Sequence, residues 1–417
     1  MSLKPIANLN RPATPVASAS FQNNFFVLDA SSYAWAWGSG TNGVLGDNTA
    51  VNRSSPVSVV GGTQWRSLNS PNPTLALDAN SYAWAWGLGT SGQLGNDGIT
   101  SRSSPVSVVG GKQWLSAYPA STVCAALDAS SYAWAWGAST NGVLGDNTLN
   151  GRSSPVSVVG GIQFRSLFLA STSMMGLDAN SYAWAWGRND QGQMGDNTLN
   201  TRSSPVSVVG GNQWIQVTVS GVVVAALDAS SYAWAWGTNG SGQLGDNTSS
   251  SRSSPTSVVG GIQFRSLAEI SSAAAGLDAN SYAWAWGSGT SGQLGNNSNT
   301  NTSSPVSVVG GKQWISLINR NTSMLALDAN SYAWAWGTNT DGVLGDGTLI
   351  PRSSPVSVVG GIQFVSINSS GGIDASSRLW AWGTNSGGQL GDGTLSNRSS
   401  PILVKILKSF PGNPFGI

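Results

Sequence analysis

The sequence predicts an all-β protein: a single β-propeller of four-stranded antiparallel blades, with eight blades as the count it favours. Three observations lead there. The hexapeptide Tyr-Ala-Trp-Ala-Trp-Gly begins at Tyr33, Tyr82, Tyr132, Tyr182, Tyr232, Tyr282 and Tyr332, and a variant, Arg-Leu-Trp-Ala-Trp-Gly, begins at Arg378. The intervals are 49, then five of 50, then 46 residues, a period that belongs to solenoids and propellers. Within each period, four short runs of aromatic and β-branched residues are separated by Gly, Asn, Asp, Ser and Pro, which marks strands and turns rather than helices.

One unit shows the elements in order. Gln64-Trp65-Arg66-Ser67-Leu68 reads as a first strand, Thr74-Leu75-Ala76-Leu77 as a second, Tyr82 to Trp86 as a third and Pro105 to Val109 as a fourth. Asp78-Ala79-Asn80-Ser81 supplies the hairpin turn between the second and third. Four strands in about 50 residues is the spacing of a propeller blade. Side chains alternate along a strand, so Tyr82, Trp84 and Trp86 form a bulky face and Ala83 and Ala85 a thin one. Bulky against thin, repeated head to tail, can close a ring at native packing density. The expected inter-blade core is therefore Trp35, Trp37, Trp84, Trp86, Trp134, Trp136, Trp184, Trp186, Trp234, Trp236, Trp284, Trp286, Trp334, Trp336, Trp380 and Trp382. Each Trp can bury roughly 150–250 Å², an upper bound of about 4–6 kcal/mol before entropy. That core role outweighs use of the Trp pairs as a sugar-stacking platform. Gly-Ile-Gln-Phe at Gly161, Gly261 and Gly361 alternates with units that place Trp114, Trp214 and Trp314 there, a 100-residue rhythm that suits an even blade number.

Composition excludes much of chemistry. Among 417 residues there is no His and one Cys, Cys124, with 19 Lys and Arg against 18 Asp and Glu. Ser-His-Asp and Cys-His catalysis and His-containing zinc sites need residues the chain lacks, and one Cys builds neither an intrachain disulfide nor a cysteine cluster. No metal, no cofactor and no catalytic residue is expected, so the chain reads as no enzyme. A net charge of +1 gives no electrostatic footprint for nucleic acid. The N-terminal residues lack a secretory signal and no run approaches a membrane span, so no membrane insertion is expected and a cytoplasmic or virion-associated location is.

Carboxylates are few enough to audit. Eight sit in the hairpin turns, at Asp29, Asp78, Asp128, Asp178, Asp228, Asp278, Asp328 and Asp374. Seven follow a Gly-rich loop, at Asp47, Asp97, Asp146, Asp196, Asp246, Asp346 and Asp392. Six of these precede an Arg by six residues, and Asp97 precedes Arg102 by five. The unit beginning at Tyr282 has Asn296 and Thr302 instead, so acid and base go together and an ion pair within each blade is expected. A ring of calcium sites lacks the Asp-x-Asp-x-Asp spacing.

Gly92-Gln93-Leu94-Gly95, Gly192-Gln193-Met194-Gly195, Gly242-Gln243-Leu244-Gly245, Gly292-Gln293-Leu294-Gly295 and Gly388-Gln389-Leu390-Gly391, each after a strand ending in Trp-Gly and before a Pro-Val or Pro-Ile, carry a resemblance. Val44, Val143 and Val343 replace the Gln in the other units with this loop. The pattern resembles the repeat of the regulator of chromosome condensation family, as a divergent bacterial or phage-like member, over about residues 20–405. The resemblance implies the propeller fold. It also implies, as an alternative function, a guanine-nucleotide exchange factor-like or chromatin-associated propeller. Here the sequence departs from the family, which usually has seven blades and a Gly and a His between the first two strands.

The segments between first and second strands vary most, and Asn69, Tyr118, Phe168, Thr218, Glu269 and Arg320 are taken as candidate binding-face loop residues. Residues 1–20 read as an N-terminal arm, 21–402 as the eight-repeat propeller and 403–417 as a C-terminal tail. The functional expectation is a non-catalytic scaffold for protein or glycan binding or structural assembly, in a surface or virion setting. Its partners would be other proteins of an assembly or surface glycans, with oligomerisation or attachment through the termini.

Overall fold

Eight sheets of four antiparallel strands stand in a ring, an eight-bladed β-propeller with one short 3-10 turn, Thr41–Gly43, as its only helix among the described residues. The computed structural model describes residues 18–404 except 22, 23, 30, 71, 269–271 and 321. In every sheet the spatial order of strands is their chain order. Blade 2 is typical, with strands Trp65–Asn69, Thr74–Asp78, Ala83–Gly87 and Arg102–Ser107. From blade 2 to blade 6 the first strands of successive blades lie side by side, which places them innermost. One face of the disc, the hairpin face, carries the turns between second and third strands. The opposite loop face carries the loops joining first to second and third to fourth strands.

The third strand builds the ring because its two faces are used differently. Trp86 packs with Trp65 and Ala76 of its own blade and against Phe26, Ala34 and Ala36 of blade 1, large side chains on small. Its indole N–H donates to Val44 O of blade 1 at 2.8 Å. The same bond recurs at Trp136, Trp186, Trp236, Trp286, Trp336 and Trp382, each reaching the loop of the preceding blade. The acceptor is always the backbone carbonyl of the Val or Gln in the repeat loop, so either residue serves this bond. Gly46 shows how close the approach is: at φ +72, a Cβ there would lie 2.7 Å from Trp86 Nε1.

Closure uses that same contact. Trp37 of blade 1 donates to Gln389 O of blade 8 at 3.1 Å, and Phe25, Val27 and Trp37 pack with Ile373, Leu379, Leu390 and Val404. Gly393 N donates to Ser54 O at 2.8 Å across this seam, just as Asn147 N donates to Ser203 O between blades 3 and 4. Blade 1 is made entirely of N-terminal strands, Ser18–Phe21, Asn24–Leu28, Ala34–Gly38 and Arg53–Ser58. Three residues of the expected arm, 18–20, therefore belong to the sheet, paired from Ser18 opposite Val27. The rest of that arm, and the tail beyond Val404, lie outside the described residues.

The 46-residue interval has a local cause. In blade 8 the first hairpin closes at Asn368 opposite Gly371, while in blade 7 Asn319 stands opposite Met324 with a longer loop beyond it. Arg320 of blade 7 fills the space: its Nη2 donates to Asn368 O at 3.2 Å, its Nη1 to Val343 O at 2.6 Å, and its guanidinium lies 5.7 Å from the Trp382 ring.

Candidate functional site

Two carboxylate motifs hold the frame. In each hairpin turn one Asp oxygen accepts two backbone N–H groups and the other accepts an indole N–H six residues on. Asp78 Oδ1 takes Asn80 N and Tyr82 N, and Oδ2 takes Trp84 Nε1 at 3.0 Å. The indole bond recurs in all eight blades, including Asp374 with Trp380. The first Trp of each pair is thereby pinned half-buried on its own hairpin. The second is almost fully buried between blades. The constant Asp-x5-Trp spacing was the signal for this bond, unused by the sequence reading.

The second motif braces the loop between third and fourth strands. Asp47–Arg53, Asp146–Arg152, Asp196–Arg202, Asp246–Arg252, Asp346–Arg352 and Asp392–Arg398 are ion pairs at 2.7–3.1 Å, each within one blade. Each Asp also accepts from the hydroxyl and N–H of the Thr two residues on, as Asp246 does from Thr248. Burial pushes these carboxyls up, but the Thr hydroxyl, the guanidinium and the Thr N–H together outweigh it and hold them below their ordinary value. Blade 2 departs from the expected pairing. Asn96 occupies the place of Asp47, and Asp97, at φ +64, takes the place of Asn48, its N–H donating to Ser153 O at 2.8 Å. Among the described residues Asp97 makes no ion pair with Arg102; its Oδ1 accepts from Ser153 Oγ at 3.4 Å.

The candidate loop residues that are described lie at or just past the loop-face ends of innermost strands. Asn69, Tyr118, Phe168 and Thr218 fall within strands, where the sequence reading put loops, because pairing with the second strand continues through them. Asn69 Nδ2 donates to Ala117 O of the next blade at 3.0 Å, and Thr218 Oγ1 to Ala225 O at 3.4 Å. Tyr118 packs against the core between blades 3 and 4, and burial raises its phenol pKa. Phe168 packs half-buried on the core between blades 4 and 5. Arg320 is turned into the seam with blade 8, its Nε unpartnered, and burial pulls its pKa down. Glu269 lies outside the described residues. Cys124 is buried, which drives its thiol pKa up and away from thiolate chemistry. Among the described residues no group of three acidic or Cys side chains is placed to hold a metal.

Among its polar residues the loop face exposes a set of aliphatic tips. Ile99, Leu149, Leu199, Leu349 and Leu395 occupy equivalent loop tips and are 59–66% exposed.

The family model of the regulator of chromosome condensation (RCC1) repeat matches residues 182–227, 232–279, 281–318 and 376–415. The chain carries RCC1 repeats. The first match begins with the third strand of blade 4 and ends in the second strand of blade 5, so the RCC1 sequence unit straddles a blade boundary; it holds Trp186 and the acceptor Gln193, whose partners Val143 and Trp236 belong to the units on either side. No curated protein sequence matches the chain. Among solved structures, this RCC1-repeat propeller is similar to human WBSCR16, at 19% identity and TM-score 0.63, over 80% of this chain and 95% of that one. It is also similar to Prp20p from Saccharomyces cerevisiae, a structure described with its binding properties to Gsp1p and histones, at 18% identity and TM-score 0.62, over 84% and 89%. A third is yeast RCC1 (Prp20) bound to Kap60, at 15% identity and TM-score 0.62, over 97% of both chains. At such identity the likeness speaks for the fold.

Proposed function

We propose that this RCC1-repeat propeller is a non-catalytic scaffold that binds other proteins within an assembly. One observation carries the reading: the carboxylates that recur through the repeat are fixed by frame contacts, the hairpin ones on backbone N–H and indole groups and six of the loop ones on Thr and Arg. An acid or base at work needs an oxygen free for substrate. What is left for function is surface: exposed aliphatic tips on the loop face and the innermost strands on the hairpin face. The similar structures include Prp20p, described with its binding properties to Gsp1p and histones, and yeast RCC1 bound to Kap60, which supports a protein partner and leaves its identity to this chain's own surface.

Cross-linking mass spectrometry on the native source material tests the reading, with a glycan array on the purified chain beside it. Cross-links from either face to a protein partner are expected. Binding confined to glycans, or turnover of a small-molecule substrate, would overturn it.

A further inference from the structure

Near the start of the innermost strand in blades 2 to 8 the register slips by one residue. Trp65 stands opposite Asp78 and Ser67 opposite Leu77, which leaves Arg66 opposite nothing. The same slip leaves Leu115, Arg165, Ile215, Arg265, Ile315 and Val365 unopposed in successive blades. Such a bulge re-aims a side chain out of the ladder. Here all seven are exposed at the hairpin-face mouth of the propeller axis, the four aliphatic ones by 47–65%.

The seven form a continuous rim because innermost strands are neighbours. Arg66 Nη2 donates to Leu115 O and Arg165 Nη2 to Trp214 O, each at 2.6 Å. Arg265 Nη2 donates to Trp314 O and, at 3.2 Å, to Ile315 O. Each guanidinium is thus laid towards the aliphatic bulge of the next blade. Among the described residues none of the three has a carboxylate within ion-pair distance, whereas eight other Arg do. The hairpin Asp residues on this face do not neutralise them by contact, since their oxygens are engaged by backbone and indole N–H groups.

We propose that this mouth, three unpaired guanidinium groups alternating with four exposed aliphatic side chains, docks a protein segment that carries carboxylates beside apolar side chains. The proposal rests on the protein-binding reading above and gives it a place and a partner chemistry. Charge complementarity chooses the occupant: a second copy docked mouth to mouth would set guanidinium rings against each other, and an apolar segment without acids would leave them unpaired.

The test is selection from a random 16-residue peptide phage library on the full chain. Selected peptides are then measured by fluorescence anisotropy against three variants. The first combines Arg66→Ser, Arg165→Ser and Arg265→Ser. The second combines Leu115→Ser, Ile215→Ser and Ile315→Ser and keeps every charge. The third combines Leu149→Ser and Leu199→Ser on the opposite face. Circular dichroism confirms that each variant is folded. The expected result is enrichment of acidic, apolar peptides whose affinity falls with rising salt and drops at least about ten-fold in each of the first two variants. No enrichment, peptides without acids, or affinity indifferent to both mouth variants overturns the proposal. Peptides lost only in the third variant overturn it while leaving the protein-binding scaffold standing. Self-association in sedimentation that the first variant abolishes would assign the mouth to a second copy and refute the acidic partner.

Discussion

Replacing Trp37 by Ala asks whether the ring is closed by the contact that builds it. Trp37 is buried, stacks on Phe25 at 5.4 Å between ring centroids and donates to Gln389 O across the seam between blades 8 and 1. Trp236, inside the ring, is buried against Trp214 at 5.7 Å and donates to Gln193 O at the same 3.1 Å. Burial of either side chain is worth at most about 4–6 kcal/mol, and truncating a buried Trp typically costs about 3–5 kcal/mol. In a ring of equal nearest-neighbour interfaces the two substitutions cost the same within about 1 kcal/mol. Urea unfolding followed by circular dichroism measures both, with limited proteolysis to show where the chain opens first. A cost for Trp37→Ala below about 1 kcal/mol beside a full cost for Trp236→Ala would refute the reasoning. The blade 8 to blade 1 seam would then be open in solution.

Three further outcomes follow from the same geometry. Gly245→Ala sets a Cβ 2.8 Å from Trp286 Nε1 at φ +69, whereas Gly261→Ala at φ +62 meets nothing within 4 Å. Thermal unfolding should therefore show about 1–2 kcal/mol lost at Gly261 for backbone strain alone, and about 1 kcal/mol more at Gly245 for the disturbed indole bond. Asn96→Asp restores an acid six residues before Arg102 and should stabilise blade 2 by up to about 1 kcal/mol, less at high salt, as read by the same melts. Because the six loop carboxyls lie below their ordinary value in the folded state, their stabilisation is present above the unfolded carboxylate pKa, about 3.9, and is lost as pH falls through the folded values. An acid titration should lose stability below about pH 4, and Asp246→Asn should reduce that slope; an unchanged slope would mean Asp246 is not held by its partners.

The blade was legible because its cause is periodic. Tyr-Ala-Trp-Ala-Trp states alternation directly, and a bulky face repeated beside a thin one has one efficient use. The loops were harder. Asn96-Asp97 and Asp47-Asn48 have the same composition, and only the positive φ of Asp97 and its bond to Ser153 O show that the order of the two residues decides which side chain faces the Arg. Docking of Gly46 against the next blade's indole could not be read from glycine content, since Gly261 has the same backbone requirement and no neighbour. The rim at Arg66 was missed for a different reason. Strict alternation puts Arg66 on the face opposite Trp65, and a bulge abolishes the alternation at that residue alone.

Functional freedom in this chain is confined to positions with no packing duty, and two such sets behave differently. At the loop tips the equivalent residues run from Ile99, Leu149 and Leu199 to Ser249 and Asn299, so apolar character is readily exchanged for polar. At the bulges, copying of a 100-residue pair accounts for the alternation of Arg66, Arg165 and Arg265 with Leu115, Ile215 and Ile315. Copying does not account for the narrowness of the set. All seven described positions are guanidinium or branched aliphatic, in a chain whose exposed turns are otherwise rich in Ser, Asn, Thr and Gly. The four aliphatic bulge side chains belong to none of the core clusters and are 47–65% exposed, so packing gives little reason for aliphatics there. A partner that supplies both carboxylates and apolar surface does.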